Sequence, residues 1–361
     1  MALRLGVWTV CLAAVAASLL PVVPTDNWWI RALDFPRLQV AMLLAVAMPG
    51  AGWLLGWWRG ATRVLVAAMA GALALQLAWL WPYTPLHPVQ VKLAGACRAG
   101  QRLSLVVANL QEDNSGAGRF LAEVRRVDPD VVFVVEIDGR WADALAPLEG
   151  RYPHRVVHPR DDYWGLAVYS RLALVEPEVR HLLSDYVPSL RAGLRLESGA
   201  VAWFHGLHPK PPLPGTGTGQ RDAELLLAAL AVREAGLPAV MAGDLNAVAW
   251  SDTTALVQRV GGVIDPRIGR GPYVTFPTWM PSVLRVPIDH VLFTPAFDLL
   301  GLERLADIGS DHLPLLARLC MMQAAGVPTV SAPAAREGDM ARARAVIREG
   351  REVAARQPVG D

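Results

Sequence analysis

Six polar events interrupt the sequence, each at the end of an apolar run. VVAN closes on Asn109, VVFVVE on Glu136, VAWFHGLH on His208, and PAVMAGDLN on Asp244 and Asn246. Further on, PIDH brings Asp289 beside His290, and GSDH brings Asp311 beside His312. One carboxylate at a strand exit is ordinary, but the recurrence is not. Residues two apart on a strand share a face, so Asp244 and Asn246 point the same way. His290 points away from Asp289 and is expected to be structural. If the exits meet in space, four carboxylates, two amides and two or three imidazoles line one hollow. That oxygen-rich set suits a hard divalent cation such as magnesium, which keeps waters for a phosphate oxygen. Thiolates are absent from it, which argues against zinc or copper. A carboxylate to activate water and a cation with an imidazolium to neutralise charge are what in-line phosphoryl transfer to water requires.

Such exits need strands alternating with helices. Leu103 to Ala108, Val131 to Val135, Gly165 to Tyr169, Val201 to Leu207, Ala239 to Ala242, Ile288 to Phe293 and Leu313 to Leu319 read as short strands. Arg119 to Val127 and Arg221 to Ala235 carry helical spacing, and Asp128-Pro129-Asp130 stops the first. Strands buried on both faces and separated by helices predict a layered α/β domain.

The order and context of these residues resemble the endonuclease/exonuclease/phosphatase superfamily, the metal-dependent phosphodiesterases related to DNase I. The resemblance runs over residues 103 to 320, through VVANLQ, VVFVVEID, WGLAVYSR, HPKPP, GDLNA, IDHVLF and GSDHLPL. Each motif is weak alone, and all seven in the family's order are strong together. HPKPP followed by Arg221-Asp222 looks like the branch with N-terminal membrane helices. The resemblance implies a four-layer α/β/β/α sandwich (DNase I-like), which the apolar segments described below would precede with three transmembrane helices. It implies Mg²⁺, with Mn²⁺ as the other candidate, held by Glu136 with Asn109 and Asp311. It implies that Asp289 orients His312, which acts as general base or contacts the scissile phosphate. Asp244 then orients or deprotonates the attacking water, Asn246 contacts phosphate, and His208 stabilises the transition state. Gln111 stands where the family often has an acidic residue, which puts a second metal contact in doubt. His205 is the competitor of His208, and HPKPP favours the latter.

Of the 361 residues, 53% are hydrophobic, and the excess lies in the first 82. Leu5 to Val23, Val40 to Trp58 and Val64 to Trp81 carry no charge and approach the roughly 20 residues that cross a bilayer. Tryptophans at their ends suit an aromatic belt. A signal peptide is the alternative reading of the first segment. Arg4, Arg59 and Arg63 outnumber Arg31 and Arg37, which favours a cytoplasmic N-terminus and places the chain after Pro82 outside the inner membrane. The expected organisation is a membrane domain over residues 1–82, a linker over 83–102, a catalytic domain over 103–320 and a polar, loosely ordered tail over 321–361. Cys97 and Cys320 flank the catalytic domain, and a disulfide and two thiols both remain open.

The expected function is a membrane-anchored metal-dependent phosphoester hydrolase. Its partners are the bilayer and a phosphoester substrate: a lipid headgroup, a nucleic acid or a small phosphoester. No obligate protein partner is inferred. Residues 97 to 322 carry 22 Lys and Arg against 26 Asp and Glu, an acidic balance that weighs against tight nucleic-acid binding. The competing reading is a non-catalytic membrane-tethered binding or scaffolding protein of the same fold.

Overall fold

The computed structural model describes residues 1–322 and 330–356. Nine helices among the described residues are α1 (Ala2–Leu19), α2 (Trp28–Arg31), α3 (Arg37–Leu55), α4 (Gly60–Leu80), α5 (Ala117–Val127), α6 (Gly139–Ala144), α7 (Gly219–Ala235), α8 (Asp252–Gly261) and α9 (Asp339–Arg356). Helices α1, α3 and α4, with their extensions, are long and apolar enough to cross a membrane. The middle one begins at Arg37, three residues before the expected Val40, and ends at Gly56, whose φ of +92° halts it. A charge is tolerated there because Arg37 Nη2 pairs with Asp34 Oδ1 at 2.6 Å and Nη1 donates to Gln76 Oε1 at 3.2 Å. Gln76 Nε2 in turn donates to Ser18 Oγ at 3.1 Å, so one polar chain clasps the same end of all three helices.

The strands are β1 (Arg102–Asn109), β2 (Val131–Val135), β3 (His154–His158), β4 (Leu166–Ser170), β5 (Ala173–Arg180), β6 (Ser189–Arg195), β7 (Val201–Gly206), β8 (Ala239–Asp244), β9 (Asp289–Phe293), β10 (Phe297–Arg304) and β11 (Leu315–Met321). They form two sheets, β10-β11-β1-β2-β4-β3 and β5-β6-β7-β8-β9. Their facing sides share one core that includes Val107, Phe133, Phe204, Val240 and Phe293. Phe133 meets Phe204 edge-on at 5.2 Å across the sheets. Its ring fills the space above Gly206, where any Cβ would collide with it. The outer face of the first sheet is covered by α5 and α6, through Phe120, Val124 and Trp141. That of the second is covered by α7 and α8, through Leu226, Ala229 and Val257. The architecture is therefore the expected four-layer α/β/β/α sandwich behind three apolar helices.

Residues 339–356 depart from the expected loose tail. Helix α9 lays Ala343 and Ile347 into the core over α7, and Gly350 lets it approach Ala223 and the Gly219 carbonyl. Arg259 Nε holds Asp339 Oδ2 at 2.7 Å at its start. The polar composition hid a helix with one apolar stripe. The remaining tail positions, 323–329 and 357–361, lie outside the described residues.

The segment after α4 is bound to the domain along its length. Gly269 N donates to Pro82 O at 2.8 Å, Tyr83 Oη to Ala249 O at 2.6 Å, and Ala94 N to Leu299 O at 2.8 Å. Trp250 Nε1 reaches back to Asp34 O at 2.8 Å. Cys97 and Cys320 are joined in a disulfide, with Cα atoms 5.6 Å apart.

Candidate active site

The central strands of both sheets end at one rim. β1 and β2 run parallel and deliver Asn109 and Glu136 side by side. β8 pairs antiparallel with β9, which sets Asp244 directly opposite Asp289. The turn before β11 brings in Asp311 and His312. Three non-glycine residues at this rim, Gln111, Glu136 and Asn246, adopt positive φ of 56°, 57° and 49°. Backbone of this kind is uncommon and concentrates where side chains must be aimed. Gly243 has a φ of +146°, and a Cβ there would strike the Leu207 carbonyl, so the GDLN turn requires glycine before Asp244.

All eight residues singled out in the sequence meet at this rim. Glu136, His208, Asp244, Asn246, Asp311 and His312 line one cavity of about 560 Å³. Asn109 and Asp289 stand behind them. Asn109 Nδ2 donates to Glu136 Oε1 at 2.7 Å and to Asp244 Oδ2 at 3.1 Å. Its Oδ1 accepts from Gln111 N at 2.9 Å, so the amide NH₂ rather than the oxygen faces the carboxylates. Gln111 spends its own Oε1 on Asp311 N at 2.9 Å. Asp289 Oδ2 lies 2.8 Å from His312 Nδ1, and the far nitrogen, Nε2, is 3.6 Å from Asp244 Oδ2 and 3.9 Å from Asp311 Oδ1. His208 Nε2 stands 3.6 Å from Glu136 Oε1 and 3.9 Å from Asp244 Oδ2. Asn246 donates its backbone N to Asp244 Oδ1 at 2.9 Å and Nδ2 to Pro209 O at 3.0 Å, which ties it to the loop after His208.

Burial and crowding set the protonation states. Burial pushes Glu136 up to about 7. Burial also raises Asp244 and Asp311 above the usual carboxylate range, against the pull of His312. Burial would lower His312, but the Asp289 and Asp244 carboxylates prevail and lift it to about 10. His208 is driven down to about 4, mainly by burial, and is neutral. Its Nδ1 and Asp289 Oδ1 are buried without a hydrogen-bond partner. Among the described residues, Glu136–His208–Asp244 and Asp244–Asp289–His312 are sets whose ligand atoms lie within 4.8 Å of one another. Several acids sharing one buried hollow, three of them raised by burial, fit a divalent cation, because its charge would keep them ionised.

A profile of the endonuclease/exonuclease/phosphatase family matches residues 106–312. The chain belongs to that family. Proteins of the family are in general metal-dependent phosphoester hydrolases. The fold resembles humanized D. rerio TDP2 carrying 14 mutations, with 18% identity, a TM-score of 0.52, and coverage of 61% of this chain and 99% of that one. The human nocturnin catalytic domain with a bound sulfate anion gives 17% identity and a TM-score of 0.52 over 63% and 96%. D. rerio TDP2 complexed with single-strand DNA product gives 19% and 0.51 over 60% and 98%. These likenesses concern the fold. No curated protein matches the chain in sequence.

Other readings separate cleanly. His290 is buried away from the cavity, with Nδ1 2.6 Å from Arg267 Nη2 and Nε2 2.7 Å from Ala247 O. His205 lies in a different depression beside Arg191 and Trp203. Asp162 lines the same cavity and is paired with Arg160. Sequence reasoning missed Phe35, Trp164, Tyr186 and Phe276, which also line the cavity. Their signal is faint, since an aromatic in a loop has no period. Lys210 lines it from within HPKPP and sits over the Tyr186 ring at 5.6 Å. Ser310 Oγ donates to Asn109 O at 2.8 Å and accepts from His312 N at 3.0 Å, joining the last turn to β1.

Proposed function

We propose that the protein is a membrane-anchored phosphoester hydrolase that uses Mg²⁺ or Mn²⁺ and an activated water. The observation that carries this is the convergence of Glu136, Asp244, His208 and His312 on one cavity. Glu136 would hold the cation with Asp311, and with Asn109 once its amide turns its oxygen inward. A bound cation supplies charge to neutralise phosphoryl oxygens. Asp244, made more basic by burial, takes the proton from water while Asn246 N fixes its other oxygen. His312, raised to about 10, keeps its proton at neutral pH and hydrogen-bonds a phosphoryl oxygen through Nε2–H, so the phosphate-contact role is preferred over that of general base. Asp289 holds the Nδ1 side of that imidazolium. His208 is a neutral donor at the same wall. Asn246 keeps its second Nδ2 hydrogen for the ester.

Three observations support an extracytoplasmic domain on an inner membrane. The loop between the first two spans touches the domain, so both lie on one side. Arg31 of that loop and Arg37 at the start of α3 are taken up by Asp34, while Arg59 and Arg63 on the other side are exposed. The Cys97–Cys320 disulfide suits an oxidising compartment.

The test is nitrophenol release from bis-p-nitrophenyl phosphate by the full chain in detergent, with and without Mg²⁺, Mn²⁺ and chelator. Activity that requires the cation and disappears in Asp244→Ala and His312→Ala is expected. A folded, cation-supplied protein that releases nothing overturns the reading.

A further inference from the structure

The cavity is chemically mixed. Its wall carries the carboxylates and imidazoles. The same wall includes Phe35, Phe276, Ile288, Pro212 and Leu213, with the Phe276 ring 4.8 Å from that of His312. Phe35 belongs to the segment between the first two spans and lies two residues before the first residue of α3. Two residues of chain place it within about 7 Å of the end of a membrane-crossing helix. Ile288 and Phe276 share one apolar cluster with Ala41 and Leu38 of α3 and Leu80 of α4. The apolar wall of the cavity is therefore continuous with the outer ends of the membrane helices.

A loop beside the mouth repeats the pattern. Gln39 Nε2, in the first turn of α3, donates to Val283 O at 3.0 Å, which rests the 277–285 loop on the helix. That loop exposes Trp279 at 72%, Val283 at 47% and Leu284 at 40%. Exposed aromatic and aliphatic side chains level with helix ends are those that settle into a lipid headgroup boundary.

We infer that the substrate is a membrane-borne lipid phosphoester, whose phosphate meets the carboxylates and imidazoles of the cavity while its apolar part stays against Phe35 and the 277–285 loop. The inference rests on the hydrolase reading. A nucleic acid fits less well: residues 97 to 322 are net acidic, and Lys210 is the cavity's single lining Lys or Arg among the described residues.

The experiment uses the full chain reconstituted in phosphatidylcholine vesicles with Mn²⁺. The probes are methyl, butyl and hexadecyl p-nitrophenyl phosphate, the last dissolved in the bilayer. Expected is a kcat/KM for the hexadecyl ester roughly tenfold or more above that of the methyl ester, since only its chain adds apolar contact. Phe35→Ala and the exposed double variant Trp279→Ser/Leu284→Ser should each reduce that ratio. In metal-free protein, quenching of tryptophan fluorescence by lipids brominated near the headgroup should lose a component in Trp279→Phe. Equal rates on all three esters, a ratio untouched by either variant, or no Trp279 component would overturn the inference alone. So would a single-stranded oligonucleotide cleaved faster than the hexadecyl ester. Release from none of the esters removes the hydrolase reading and the inference with it.

Discussion

Asp289→Asn asks whether the fold holds the proton on His312. The imidazole is 4% exposed, and burial alone favours its neutral form. Asp289 at 2.8 Å and Asp244 at 3.6 Å reverse that and raise it from 6.5 to about 10. A shift of that size corresponds to roughly 4–5 kcal/mol between the charged and neutral forms. Breaking a buried pair by removing one partner costs about 3–5 kcal/mol, so two routes give the same scale. Asparagine keeps the shape and an acceptor oxygen but removes the charge. The variant should lose its imidazolium at neutral pH and hydrolyse bis-p-nitrophenyl phosphate roughly 10²–10³-fold more slowly, the usual loss for one preorganised donor. The native rate should hold on the alkaline side until pH nears 10 and fall as the proton leaves; in the variant that limb moves to lower pH. Stability carries the same sign. A raised folded-state value contributes fully below pH 6.5 and is lost as pH rises through about 10, so the urea midpoints of the two proteins should converge across that window. The direct readout is the His312 ring resonance by NMR. If it titrates in the variant as in the native protein, or if hydrolysis changes by less than about threefold, the electrostatic account of the pair is wrong.

Glu136, pushed up to about 7, makes protons compete with the cation, so calorimetric Mn²⁺ affinity should climb with pH up to about 7 and then level. Glu136→Gln should weaken binding and flatten that dependence, and a flat native profile below pH 7 would contradict it. Phe133→Ala opens a cavity between the sheets beside Phe204 and over Gly206, and should cost about 3–5 kcal/mol in denaturant unfolding without moving the site. The hydrogen bond from Arg259 lowers Asp339 to about 2, so its contribution is present above the ordinary value of 3.8 and lost as pH falls through about 2. Thermal melts of Asp339→Asn should therefore lie below native ones at neutral pH and merge with them near pH 2, and a constant gap would refute the assignment.

The site was legible because chemistry and period coincided. Asn109, Glu136, His208 and Asp244 each follow the end of an apolar run, and Asp289 opens one, β9, so all five stand at strand ends. Strands β1, β2 and β8 inside the sheets were readable for the same reason, and so was β9, an edge strand buried along its whole length. Polar edge strands were not: β3 reads HRVVH, and β5 carries Glu176, Pro177 and Glu178, with a register shift between Val175 and Glu178. Polar edges discourage further pairing and erase the hydrophobic signal. Helix α8 escaped because its cue is the Ser251 cap, whose Oγ accepts from Thr254 N at 3.1 Å, and not a long apolar stripe. Phe35 could not be assigned from sequence, since its place at the cavity depends on contacts spanning two hundred residues.

The bonded seat of the domain on its three apolar helices has one more consequence for the proposed function. Pro82, Tyr83 and Ala94 on one side, and Asp34 through Trp250 on the other, leave no swivel between stem and head. A head on a free leash would sample a hemisphere of solution. In the membrane-anchored lipid hydrolase proposed above, the head would travel at a constant height, so its search for substrate would collapse from a volume to a plane, and encounter frequency would follow the surface density of esters at that level rather than their bulk concentration.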